Sequence, residues 1–177
     1  MGTRTLPIGD LVFEDCFVPE SSLLGRKGAG SAIFNRSLEW ERRFVYSSHV
    51  GAMRRQLDQS VSFAKERDVF GGAIEGYQSV SNRLADMKTR YETSRLLLRK
   101  AAWEADQGIK DAGFAAMTKL HISEAYLASS MDAVRTFGGK GYMQSEGVER
   151  ALRDAVGGVI YGGTSDIQRQ IIAKHLK

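Results

Sequence analysis

Apolar residues recur at helical spacing over most of this chain. Val45, Met53, Leu57 and Val61 fall on one face of a first predicted helix, about Ser31 to Glu66. The Gly71-Gly72 pair stops it. Val80, Leu84, Met87, Tyr91 and Leu98 mark a second, about Tyr77 to Gln107, ended by Gly108. Ala116, Leu120, Leu127 and Val134 mark a third, about Asp111 to Thr136, ended by the glycine-rich run Phe137 to Gly141. A short helix is expected over Glu146 to Asp154 and a last one over Asp166 to His175, with Ser165 and Gln168 spaced as a capping box. The start differs. Leu11-Val12-Phe13 reads as a short strand, with a turn at Val18-Pro19-Glu20 and a loop carrying Gly25, Gly28 and Gly30.

These elements predict an all-α, up-down four-helix bundle over residues 26–177, preceded by a short β segment and linker over 1–25. No proline follows Pro19, so nothing of that kind interrupts the long helices. Trp40 and Trp103 are expected as packing residues.

Composition narrows the function. The net charge is +4, with basic and acidic residues interleaved, which reads as solvated helix faces and argues against nucleic acid. No apolar run is long enough to span a membrane. Cys16 is the lone cysteine, so no internal disulfide is available; this fits a reducing compartment and a cytoplasmic location. His49, His121 and His175 are not spaced as metal ligands, and no metal is expected.

Four stretches, in order, resemble the C-terminal part of the acyl-CoA dehydrogenase family. L-V-F-E-D-C-F-V-P-E-S-S-L-L-G (Leu11 to Gly25) is similar to the segment leaving that family's middle β-domain. A-K-E-R-D-V-F-G (Ala64 to Gly71) with Tyr77-Gln78 resembles its flavin-contacting turn, and R-T-F-G-G-K-G-Y (Arg135 to Tyr142) its second flavin motif. Y-G-G-T-S-D-I-Q-R (Tyr161 to Arg169) resembles the closing motif, usually Y-E-G-T-S-E-I-Q-R. The resemblance implies FAD, an acyl thioester of coenzyme A or of a carrier protein, and a homodimer or homotetramer. It also implies an N-terminal helical domain and a middle domain, in the same protein or a partner chain, without which this chain is expected to be inactive.

In that family a carboxylate takes the α-proton while the β-hydrogen leaves as hydride to flavin N5. The usual base is the Glu of Y-E-G-T, and here Gly162 stands in its place. Members resembling isovaleryl- or long-chain acyl-CoA dehydrogenases carry the base on the first bundle helix, in a stretch like L-D-L-E-R. Leu38-Glu39-Trp40-Glu41-Arg42 puts Glu41 at that position. The resemblance therefore implies Glu41 as base and the Gly162 N–H as a donor to the thioester oxygen. It implies Arg67, Phe70, Gln78, Arg135, Gly138, Gly139, Thr164 and Asp166 around FAD, and Arg42 and Tyr161 beside the thioester. Arg67 is the residue that pairs with the FAD pyrophosphate, often across a dimer interface; Arg135 departs from the pattern, since glutamine is common there. The competing reading is a non-catalytic helical assembly subunit or structural domain, in which Glu41 is one more exposed charge in E-W-E-R-R.

Overall fold

The computed structural model describes residues 1–6 and 8–176. Its helices are α1 (Gly30–Phe44), α2 (Ser47–Glu66), α3 (Gln78–Asp106), α4 (Ala112–Phe137), the single turn α5 (Gly139–Tyr142), α6 (Val148–Gly158) and α7 (Ser165–Lys174). A two-stranded hairpin, β1 (Asp68–Val69) and β2 (Gly72–Ala73), joins α2 to α3 with Asp68 opposite Ala73 and Val69 opposite Gly72. Among the described residues no helix is long and apolar enough to cross a membrane.

The all-α expectation holds, with α4 at the centre and α1, α2, α3, α6 and α7 packed around it. Its composition explains that place. Ala115, Ala116, Ile122 and Ala133 are buried, and the small residues let neighbouring helices approach closely. Asp111 caps α4, its carboxylate accepting the Phe114 N–H at 2.8 Å. His49 stacks on Tyr126 and Phe63 on Phe137, so α2 and α4 run side by side in one direction. Arg90 meets Asp132 while Thr93 meets His121, so α3 runs the opposite way. One core layer holds Tyr46, Val50, Met53, Tyr91, Ile122 and Tyr126; a second holds Leu57, Met87, Phe137 and Val148. Each of the larger apolar side chains buried here contributes about 1.5 to 3 kcal/mol.

Several boundaries differ from the pattern. The first helix is broken at Val45 and Tyr46 into α1 and α2. No glycine or proline marks the break. It turns Tyr46 into the core, where its hydroxyl finds backbone acceptors, and leaves Val45 exposed rather than inward. The Arg43 guanidinium, also buried, donates to the carbonyls of Ile109 and Asp111 and so ties α1 to the α3–α4 turn. Residues 11–13 form no strand, because no partner strand lies beside them among the described residues, and Leu11, Val12 and Phe13 are exposed. The helix expected over 146–154 is shifted to α6. Trp40 and Trp103 are largely exposed, not packed.

Candidate active site

The break between α1 and α2 sets the last turns of α1 against the turn from Tyr161 to Thr164. In that turn Gly162 has φ +64° and Gly163 φ +91°, the left-handed region that favours glycine. The turn is held from both sides. Arg42 Nε donates to the Gly162 carbonyl at 3.4 Å, and Gln168 Nε2 donates to the carbonyls of Gly162 (3.2 Å) and Gly163 (3.0 Å). A Cβ placed on Gly162 would lie 3.6 Å from Glu41 Oε1 and 3.1 Å from the Tyr46 hydroxyl. Glu41 and Gly162, 121 positions apart in sequence, are thus neighbours across the α1–turn boundary. Glu41, Arg42 and Tyr161 are half-buried. Among the described residues the Gly162 N–H has no acceptor.

The expected capping box at Ser165 is not formed. Thr164 is the α7 cap, its hydroxyl accepting the Ile167 N–H, while the Ser165 hydroxyl donates to Glu124 at 2.6 Å. Gln168 is spent on the glycine turn instead.

Beneath this boundary lies a buried polar layer that sequence reasoning missed. Tyr46 is wholly buried and donates to the Tyr161 carbonyl at 2.8 Å, with the Gly158 carbonyl at 3.3 Å. Lys119, also wholly buried, donates to that same Gly158 carbonyl at 3.0 Å. The Tyr161 hydroxyl lies 2.8 Å from His49 Nε2, and the imidazole stacks on Tyr126 at 4.5 Å. Burial, with the Lys119 charge behind it, holds His49 down at about 4, so the ring is neutral near neutral pH. Burial also lowers Lys119 to about 8 and raises Tyr126 to about 12. Tyr46 and Tyr161 are raised as well, chiefly by burial, so both phenols keep their protons. The signal was available: Tyr46 and His49 are three apart on one helix face, and Lys119 interrupts a small apolar run.

The other candidates gather elsewhere. Arg67 ends α2, Phe70 sits at the hairpin turn with φ +52° and is 95% exposed, and Gln78 opens α3. Arg135 lies on the last turn of α4 with an exposed side chain 3.3 Å from Asp132, which also holds Arg90 at 2.8 Å. Gly138 and Gly139 follow, with nothing within 4 Å of where a Cβ would stand. Thr164 and Asp166 lie instead at the start of α7, Asp166 exposed and paired with Arg169 at 3.0 Å. The 20 residues of α2 span roughly 30 Å, so one chain does not bring Arg67 and Glu41 together.

A family model described as acyl-CoA dehydrogenase, C-terminal domain, matches residues 28–177. An L-prolyl-[peptidyl-carrier protein] dehydrogenase of Pseudomonas fluorescens is 48% identical over 98% of this chain and 46% of its own length. The human mitochondrial short-chain specific acyl-CoA dehydrogenase is 39% identical over 99% of this chain and 43% of its own length. Among solved structures, the prolyl acyl carrier protein oxidase AnaB superposes with a TM-score of 0.89 at 43% identity, over 92% of this chain and 43% of that one. PigA with FAD and proline gives 0.88 at 45%, over 93% and 43%. The chain thus spans less than half the length of the curated relatives it matches. Fold, motif order and family model agree: this chain belongs to the acyl-CoA dehydrogenase family, within its C-terminal helical domain.

Proposed function

We propose that the chain is the C-terminal part of an FAD-dependent enzyme that desaturates an acyl thioester between Cα and Cβ, with Glu41 as the base. The observation that carries this is the 3.6 Å separation between Glu41 Oε1 and the point where a side chain on Gly162 would begin. The carboxylate missing from the closing motif is supplied from α1, beside the same atoms. The Glu41 carboxylate takes the Cα proton, a double bond forms between Cα and Cβ, and the Gly162 N–H, which has no other acceptor among the described residues, steadies the charge on the thioester oxygen. Arg42 and Tyr161 hold the turn and wall the thioester side.

FAD, when bound, accepts the β-hydrogen as hydride. The residues at the open end fit such a group. Arg67 makes no ion pair among the described residues, the backbone at Gly138 and Gly139 is bare, and Phe70 offers an exposed aromatic face. These suit a phosphate-bearing, flat ligand. Since they lie far from Glu41 within one chain, a second copy completes each site, and the enzyme is a homodimer or a dimer of dimers. The domains that precede this region in its relatives, in the same protein or a partner chain, supply the remaining walls.

A prolyl group on a carrier protein is the favoured substrate, because the relatives of that activity are 48% and 44% identical while the short-chain acyl-CoA dehydrogenases are 38–39%. Anaerobic mixing of the complete FAD-loaded enzyme with prolyl-carrier protein and with short acyl-CoA thioesters tests this. Flavin bleaching is expected with the first alone. Bleaching by the CoA thioester alone makes it an acyl-CoA dehydrogenase, and bleaching by neither overturns the enzymatic reading in favour of the assembly role.

A further inference from the structure

Tyr46 touches neither solvent nor, by its position, any substrate, yet it holds the peptide on which the proposed chemistry depends. Its hydroxyl has one proton and two carbonyls within reach, Tyr161 at 2.8 Å and Gly158 at 3.3 Å. Lys119 already donates to Gly158 at 3.0 Å, so the phenolic proton goes to Tyr161. The Tyr161 carbonyl belongs to the same planar unit as the Gly162 N–H. In a trans peptide those two groups point in opposite directions. A carbonyl drawn down to the buried layer therefore turns the Gly162 N–H away from that layer, where no acceptor claims it among the described residues. The next peptide is fixed as well, its carbonyl accepting from Arg42 and Gln168. A hydrogen bond to the carbonyl also polarises the amide and makes its N–H a stronger donor. The phenol itself is kept in place by the stacked Tyr161 ring at 5.7 Å, the edge of His49 at 5.0 Å and the Lys119 ammonium 5.4 Å from its ring.

We propose that Tyr46 is a positioning residue for the reaction: by pinning the Tyr161 carbonyl, it aims and strengthens the Gly162 N–H as the donor to the thioester oxygen. This rests on the reading of Glu41 and Gly162 given above. It also accounts for the break in the first helix, which costs hydrogen bonds but delivers this one hydroxyl to the turn.

The test uses the complete FAD-loaded enzyme and a 3-oxoacyl thioester, whose acidic α-proton lets the bound enolate be titrated by absorbance without turnover. Y46F is expected to weaken enolate formation about tenfold, the loss of one ordinary hydrogen bond's worth of stabilisation, with turnover falling in proportion and KM little changed. E41Q is expected to abolish turnover and to suppress enolate formation far more than Y46F does, because Glu41 is the group that takes the α-proton. Wild-type titration in folded, FAD-loaded Y46F overturns the proposal; full turnover in E41Q overturns the base assignment instead, so the two failures are separable. If Y46F does not fold, a fluorotyrosine at position 46 keeps the ring shape and makes the hydroxyl a better donor. It should raise the enolate fraction severalfold, and an unchanged fraction sinks the idea.

Discussion

The two ends of α4 carry candidate residues of almost opposite physics. Around its N-terminal half, Tyr46, His49, Lys119, Tyr126 and Tyr161 are buried or half-buried and largely satisfied by each other and by backbone carbonyls. Around its C-terminal end, Arg67, Phe70, Gln78, Arg135, Gly138 and Gly139 stand in solvent, their functional groups mostly unclaimed. The first region is completed by its own chain. In the proposed enzyme the second is a set of half-contacts that another surface completes. A buried polar group costs free energy unless it is paired, and in the first layer most are; His49 Nδ1 is the exception, buried without a partner among the described residues. Exposed cations and bare glycines cost little while they wait.

The largest effect expected at the finished end comes from Glu41. E41Q in the complete enzyme should lower turnover by about a thousandfold or more while FAD remains bound, as loss of a general base requires. Unchanged turnover would place the base elsewhere and reduce the contrast between the ends to one of burial alone.

Next in size is the pH response of the buried layer. His49 sits at about 4 in the fold against about 6.5 when unfolded. Between those values the unfolded chain binds a proton that the folded chain refuses, so stability falls as pH drops from 6.5 to 4, by up to about 3 kcal/mol. The groups facing the imidazole are Tyr46, Tyr126, Tyr161 and Lys119, and none of them titrates in that window. His121, also lowered by burial, adds to the slope, so denaturant midpoints of wild type and H49F should be compared across it. Parallel curves would show that the layer is wetter than the packing implies.

The smallest effect belongs to the open end. R67A should leave the melting temperature within a degree or two, because the side chain is exposed, yet weaken FAD binding by tenfold or more through loss of a charge-assisted contact. A large drop in melting temperature with FAD affinity intact would reverse the comparison and make Arg67 part of the scaffold.

The sequence read well where a signal was periodic or motif-borne. The boundaries of α3 and α4 follow from spacing, from Asp111 and from the glycines after each helix. The pairing of Glu41 with Gly162 was legible only by setting two motifs against each other, and the 3.6 Å approach makes that juxtaposition physical. The break at Tyr46 was not legible. It is imposed by a hydroxyl seeking a carbonyl 115 residues away, and no local propensity encodes that. The strand expected at residues 11–13 failed for a related reason: an apolar run becomes a strand only beside another strand, and none is described there. The open end shows the converse limit. Motif alone grouped its residues with Thr164 and Asp166, but a motif does not say that those two lie at the start of α7, away from Arg67.

Trp40 and Trp103 were expected inside and are about as exposed as each other, at 59% and 57%. They are the only tryptophans, and Trp40 is the residue next to Glu41. Emission from this chain therefore originates at its rim rather than in its core. It should begin red and change little as the bundle melts, and it should turn blue when something covers the α1 surface. The molecule carries its own optical gauge of docking, positioned beside the carboxylate whose surroundings matter most.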